Sequence, residues 1–319
     1  MERRTIISNY IDVRQGNKNR SRRAGFHGVF SNKTLIYFGL IPSVILIVGI
    51  FIFPLAYSIV ASFFDFTLTR QTVPFIGLKN YIEMFTDPNF GYSAGITLYF
   101  TVVSVGLELI FGLLIALVLN QPFPGRNFVR VAAILPWAIP TVVNAYMWRW
   151  IFNPQYGVLN AIAKGLGLID NYVIWLGTPM MALHSVILAD IYTEIPLVVI
   201  IILANLQVIN PSLYEVARID GASEIRTLFS ITLPLLRPSL LFLLIIRSMA
   251  AFRVFDILYV LTGGGPAGGT KVLAYYMYEA AFGSMRVGFG SAVSYIMTLI
   301  ITILSLIYFI ALKRVPEYQ

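Results

Sequence analysis

Six long apolar runs follow one another along the chain, parted by short segments rich in charge, proline and glycine. Each reaches the roughly 20 residues that a helix needs to cross a hydrocarbon core. They lie near 35–60, 96–119, 129–152, 180–208, 239–261 and 289–312. The pattern predicts an all-α, polytopic membrane protein with six transmembrane helices. The third run carries Pro136 and Pro140, which predicts a bent helix whose freed carbonyls find partners inside the bundle.

Composition supports the same class. Of 319 residues, 58% are hydrophobic and 12% charged, and mean hydropathy is +0.78. Soluble globular chains are nearer half apolar and a quarter charged, so lipid is the better solvent for this surface. Cysteine is absent, which excludes a disulfide framework, a thiolate nucleophile and a cysteine metal site. Two histidines, His27 and His184, exclude a histidine-rich metal centre.

Net charge is +8, yet the basic residues sit at the ends of apolar runs rather than along an aromatic-interleaved groove, which argues against nucleic acid. Eight lie among the first 34 residues; Arg126 and Arg130 follow run two; Arg218, Arg226 and Arg237 follow run four; Lys313 and Arg314 follow run six. Those fifteen fall on one side of a six-span bundle. Arg70, Lys79, Lys164, Lys271 and Arg286 fall on the other, and Arg149, Arg247 and Arg253 fall inside runs. The bias predicts that both termini face the cytoplasm of a cell whose inner (plasma) membrane holds the protein. The apolar run begins near Leu35, too late for a secretory signal. Residues 1–34 therefore read as a basic cytoplasmic tail and 35–319 as the membrane domain. The two halves of the chain share neither loop lengths nor proline placement. That disfavours a secondary transporter with inverted repeats and fits a half-pore that needs a second subunit.

The segment from Asn210 to Pro238 joins runs four and five on the side predicted cytoplasmic. Asn210 can cap a helix whose first residue is Pro211, and Gly221 suits the left-handed residue that ends it. Ser223 can start a second short helix through Phe229, before Pro234 breaks the pattern. Two short helices at a glycine corner make a protruding knob, with Glu215, Ala217, Asp220, Gly221 and Ala222 on or beside the corner. From the pattern alone, an ordinary helix-turn-helix loop fits as well.

The spacing Glu215-x-Ala217-x-x-Asp220-Gly221-Ala222, followed by Phe229-x-Ile231-x-Leu233-Pro234, resembles the EAA motif of ATP-binding-cassette importer permeases, with Val216 where the pattern has alanine. A second stretch, Phe252-Arg253-Val254-Phe255-Asp256 and then Leu261-Thr262-Gly263-Gly264-Gly265-Pro266, is similar to the FD…TGGGP pattern of carbohydrate-importer permeases of the larger maltose-permease type. Trp148 to Phe152 with Gly157 and Asn160, and Asp190, Tyr192 and Pro196, match too. This chain differs in having six spans rather than eight and a short segment between the first two, where the larger maltose subunit carries an external domain.

The resemblance implies that the loop at about 210–238 forms coupling helices docked on a cytoplasmic ATPase, with Glu215 offering a charge-assisted contact and Gly221 close approach. It implies alternating access, a heterodimeric pore with a second, smaller permease, a pair of ATPases that bind ATP and magnesium, and an external solute-binding protein. This chain would then hold no cofactor and catalyse no bond chemistry. The alternative is a secondary transporter driven by an ion gradient. A membrane-embedded enzyme lacks its catalytic cluster, since no HExxH-like spacing occurs, and GGGPAGGTK has the wrong order for a phosphate loop.

Charges inside spans cost about 2.5–3.5 kcal/mol each at a helix centre and call for partners or a function. Arg253 and Asp256 stand three apart and can pair on one helix face. Asp190 and Glu194 need a cationic or polar partner, and Glu108 reads as a buried structural charge. The resemblance places Arg247, Ala251 and Val254 where sugar contacts are expected. An arginine there suits a carboxylate or phosphate, and so an anionic cargo such as a uronate oligosaccharide of the alginate kind. A buried ion pair of Arg247 with Asp190 or Glu194 competes with that reading. Tyr146, Trp148 and Tyr192 offer stacking surfaces, although aromatics in spans also serve as packing or interface anchors.

Overall fold

A backbone in lipid must satisfy its own hydrogen bonds, and each apolar run is helical in the computed structural model, which describes residues 32–313. Most of the basic tail assigned to residues 1–34, together with Arg314, lies outside the described residues. The chain divides into two compact units, Met1–Tyr57 and Ser58–Gln319. In the first, α1 (Asn32–Ile47) passes through a π-helical turn, Val48–Ile52, into the start of α2 (Phe53–Ala61), which runs on past the division at Tyr57. Gly39–Ala61 forms an apolar helix of 23 residues, long enough to cross a bilayer.

The second unit holds the remaining helices. Short α3 (Lys79–Thr86) leads into α4 (Pro88–Asn120), whose start is set by Pro88 and by the Asp87 carboxylate accepting the Asn89 N–H at 2.9 Å. Next come α5 (Arg126–Ile134), a 3-10 turn over Leu135–Ala138, α6 (Thr141–Ile151) and α7 (Val158–Gly165). Then follow α8 (Pro179–Val208), α9 (Pro211–Ile219), α10 (Glu224–Thr227) and a π-helical turn, Leu228–Thr232. The last elements are α11 (Leu233–Phe252), α12 (Asp256–Leu261), α13 (Leu273–Tyr278) and α14 (Val287–Lys313). Among the described residues there are no strands, only isolated bridges such as Phe64 to Phe75.

Two predicted spans take a different form. The third is broken rather than bent. Helix stops at Ile134, resumes at Thr141, and the halves Arg126–Ala138 and Thr141–Ile151 meet at 100°. Pro136 and Pro140, four positions apart, each remove a backbone donor within one turn, and the chain abandons the helix instead of curving it. With this pair counted as one span, the described residues hold six helices long and apolar enough to cross a membrane. The fifth span, expected over 239–261, begins at Glu224 and ends at Phe252. Pro234 does not break it, because the π-helical turn just before it absorbs the missing donor. The helix instead stops at Arg253, and Asp256 opens a separate helix. Arg253 and Asp256 are thus both exposed, with no ion pair between them.

The bundle is held by α4, α8 and α11. Gly112 lets α4 approach α8 so closely that a methyl group there would collide with the Val198 side chain. Around this seam, Leu119, Val198, Ile202, Leu236 and Leu243 form one buried cluster. A larger one toward the other end includes Phe100, Val186, Ile257, Leu258, Leu273 and Val293. At that end Arg286 pairs with Glu83 at 2.7 Å, and the Tyr276 hydroxyl donates to Asp87 at 2.5 Å.

Candidate functional site: the elbow and the intramembrane charges

The elbow between α8 and α11 is built by local rules. The Asn210 side chain accepts the Ser212 N–H at 3.0 Å and Pro211 opens α9, so two orphan donors need no other partner. At the far end the chain turns at Gly221, whose φ of +73° is left-handed, and the Ala222 N–H returns to the Ala217 carbonyl at 2.9 Å. Ser223 then caps α10 by accepting the Arg226 N–H at 3.3 Å. Ala217 is buried and Tyr214 reaches Thr232 at 3.2 Å, which fastens α9 to the root of α11. Glu215, Asp220 and Gly221 face outward, and Ala222 is half-buried.

Sequence reasoning named Glu215, Ala217, Asp220, Gly221 and Ala222 and missed the two isoleucines that crown the elbow. Ile219 is 84% exposed and Ile225 71%, and Val216 stands beside them. Both isoleucines flank the glycine corner, where an apolar side chain has no structural duty. A cleft of about 720 Å³ lies behind the crown, lined by Asn120, Leu206, Tyr214, Arg218, Glu224 and Thr232.

Deep in the bundle, Arg247 of α11 is 5% exposed and surrounded by acids. Its Nε donates to Glu108 Oε2 at 2.6 Å and its Nη2 to Glu108 Oε1 at 3.1 Å, a two-pronged contact with α4. Its Nη1 lies 2.6 Å from Glu194 Oε2 on α8. Ser104 Oγ lies 2.8 Å from Glu108 Oε1 and 3.0 Å from Asp190 Oδ2. The guanidinium is therefore taken up by two carboxylates rather than held open for cargo. The ion pair with Glu194 is present; Asp190 has no contact with Arg247; and the two-pronged partner is Glu108. One arginine ties three spans together.

The remaining pathway candidates fall into two groups. Ala251 is buried one turn beyond Arg247, and Val254 is half-buried past the end of α11. Tyr146 is 53% exposed on α6, while Tyr192 on α8 meets Trp148 edge-on with ring centroids 5.8 Å apart. Trp148 also stacks near Phe152, at 5.0 Å, and its indole N–H is buried without an acceptor. The structure thus brings Trp148 and Tyr192 together, with Tyr146 on the same broken span.

Residues 108–316 match the family described as binding-protein-dependent transport system inner membrane component. The chain belongs to this family. It is a permease, a multi-pass inner-membrane component of a transport system rather than an enzyme. The permease is 42% identical to the trehalose/maltose transport system permease protein MalF of Thermococcus litoralis over 74% of this chain and 79% of that one. It is 38% identical to the sulfoquinovosyl glycerol transport system permease protein SmoG of Agrobacterium fabrum, over 81% and 83%. Its fold resembles that in a crystal structure of a bacterial ABC transporter involved in the import of the acidic polysaccharide alginate. The TM-score is 0.78 and identity 25%, with 89% of this chain and 96% of that one covered. The permease therefore has the fold of ABC importer permeases, and nothing in these likenesses favours the ion-gradient alternative.

Proposed function

We propose that this permease forms one half of the pore of an ATP-driven importer for a sugar or oligosaccharide. The observation that carries the reading is the elbow of residues 211–227: capped at both ends, anchored by Ala217, and turned outward with Glu215 and an apolar crown. A rigid exposed elbow joined directly to two long spans suits transmission of force, because displacement of α9 moves the ends of α8 and α11 as one body. In this reading the elbow faces the cytoplasm, as the distribution of lysine and arginine favours. Its partners are a pair of ATPases, which hold the ATP and magnesium, a second, smaller permease and an external binding protein. Residues 1–34 act as a basic cytoplasmic tail.

The cargo class rests on the relatives, whose names speak of trehalose/maltose and sulfoquinovosyl glycerol, and on the likeness to an alginate importer. Tyr146, Trp148 and Tyr192 supply aromatic faces for sugar rings. Arg247 no longer supports an anionic cargo, since two carboxylates occupy it. On the same chain stretch Arg253 is an exposed cation available to a uronate. Uptake assays on the reconstituted complex test the aromatic reading. Tyr146→Ala and Tyr192→Ala should each reduce uptake at low sugar concentration by about two- to tenfold, the worth of one aromatic contact, while the ATPase still copurifies. Unchanged uptake in both variants would remove these rings from the pathway.

A further inference from the structure

The cluster around Arg247 contains three carboxyl groups, Glu108, Asp190 and Glu194, and one cation. Glu108 and Glu194 each touch the guanidinium. Asp190 does not; its hydrogen bond runs to Ser104, and it is 7% exposed in the middle of α8. Ser104 stands within hydrogen-bond distance of two carboxyl oxygens, one on Glu108 and one on Asp190. A hydroxyl owns one proton and can donate to one of them. Two ionised carboxylates facing a single hydroxyl would leave one oxygen–oxygen contact without a proton, in a setting where unpaired charge is costly.

We propose that Asp190 is a proton-binding site, and that a proton held there donates to Ser104 Oγ, which in turn donates to Glu108 Oε1. The direction of the chain follows from the contacts. Glu108 meets the two N–H groups of Arg247, so it is the ionised end. Asp190 meets no cation, so it is the end that carries the proton. The charged groups around Asp190 are Glu108 from α4, Arg247 from α11 and Glu194 from its own helix. The 3-10 turn Leu135–Ala138, which packs on α8, has no ionisable side chain, and the Asn144 amide of α6 donates to the Ala189 carbonyl at 2.9 Å. Arg149 of α6 is exposed, and neither it nor Arg126 and Arg130 of α5, which also packs on α8, is among the charges that act on Asp190. With the proton in place, α4 and α8 are joined by a hydrogen-bonded chain. Without it, two like charges face each other across the seam on which Gly112 and Val198 close.

Infrared spectroscopy on the purified complex tests this directly. The wild type should show a protonated carboxyl stretch that moves in heavy water and disappears in Asp190→Asn. Isotope labelling of this permease, with its partner subunits unlabelled, assigns the band independently: carbon-13 aspartate should shift it, whereas carbon-13 glutamate should not. Asp190 is the one buried aspartate among the described residues, so the labelling points to it. Asp190→Asn, whose amide can donate to Ser104 as the acid does, should melt within about 2 °C of the wild type, a difference near 1 kcal/mol or less. Absence of the band in the wild type, its persistence in Asp190→Asn, or a shift with labelled glutamate instead of labelled aspartate, would overturn the proposal.

Discussion

Arg247 shows how a single buried side chain decides between reading a span as pathway and reading it as scaffold. Its pairing with Glu108 removes both charges from lipid and from water. Breaking such a pair from one side typically costs about 3–5 kcal/mol, because the stranded partner stays buried. Arg247→Gln should therefore destabilise the purified complex by about that amount in thermal unfolding, whereas replacing Arg247 and Glu108 together by leucine, in a Glu194→Gln background that leaves no stranded carboxylate, should recover most of the loss. Equal damage from the single and double changes would mean that the ion pair is not what Arg247 supplies. Asp87 makes a different residue-scale case at the opposite end of α4. Burial alone would raise its carboxyl, but hydrogen bonds from Tyr276 and from the Asn89 backbone and side chain hold it below the ordinary aspartate value. A depressed carboxyl stabilises above its unfolded value, and the contribution fades as pH falls through the lower folded value. The melting gap between wild type and Asp87→Asn should thus be widest near neutrality and close below about pH 4. A gap that persists unchanged into acid would contradict it.

At the scale of elements, the elbow depends on one backbone position. Gly221 adopts φ +73° with open space around its missing side chain, so substitution is penalised by conformation and not by collision. Gly221→Val should cost about 1–2 kcal/mol locally. It should also loosen ATPase binding in copurification, while the bundle remains assembled. Retained coupling in that variant would mean the corner tolerates another shape. This element was legible in the sequence because its rules are local: an asparagine cap, a proline first residue and a glycine stop announce themselves within a dozen positions. The limits of the fifth span were not, since a π-helical turn before Pro234 and a stop at Arg253 are set by packing against neighbours. Nor was the 100° break at Ile139 and Pro140 visible as more than a bend. Likewise the contact between Glu108 and Arg247 joins residues 139 positions apart, a separation no periodicity reveals.

For the whole molecule, three long helices meet at one charged seam, and two of them continue directly to the elbow's ends. Six apolar crossings were readable from hydropathy alone because lipid imposes length and backbone satisfaction on every one. Their mutual arrangement was not, because small residues such as Gly112 set approach by contact. In the proposed function the elbow acts as a lever on this seam. The most direct test of that reading is uptake into proteoliposomes that contain this permease with its partner permease, ATPase and binding protein, with ion gradients collapsed. The account predicts sugar accumulation that requires ATP on the side of the elbow and is abolished by Glu215→Ala combined with Gly221→Val. Accumulation that proceeds without ATP, or survives in that double variant, would contradict it.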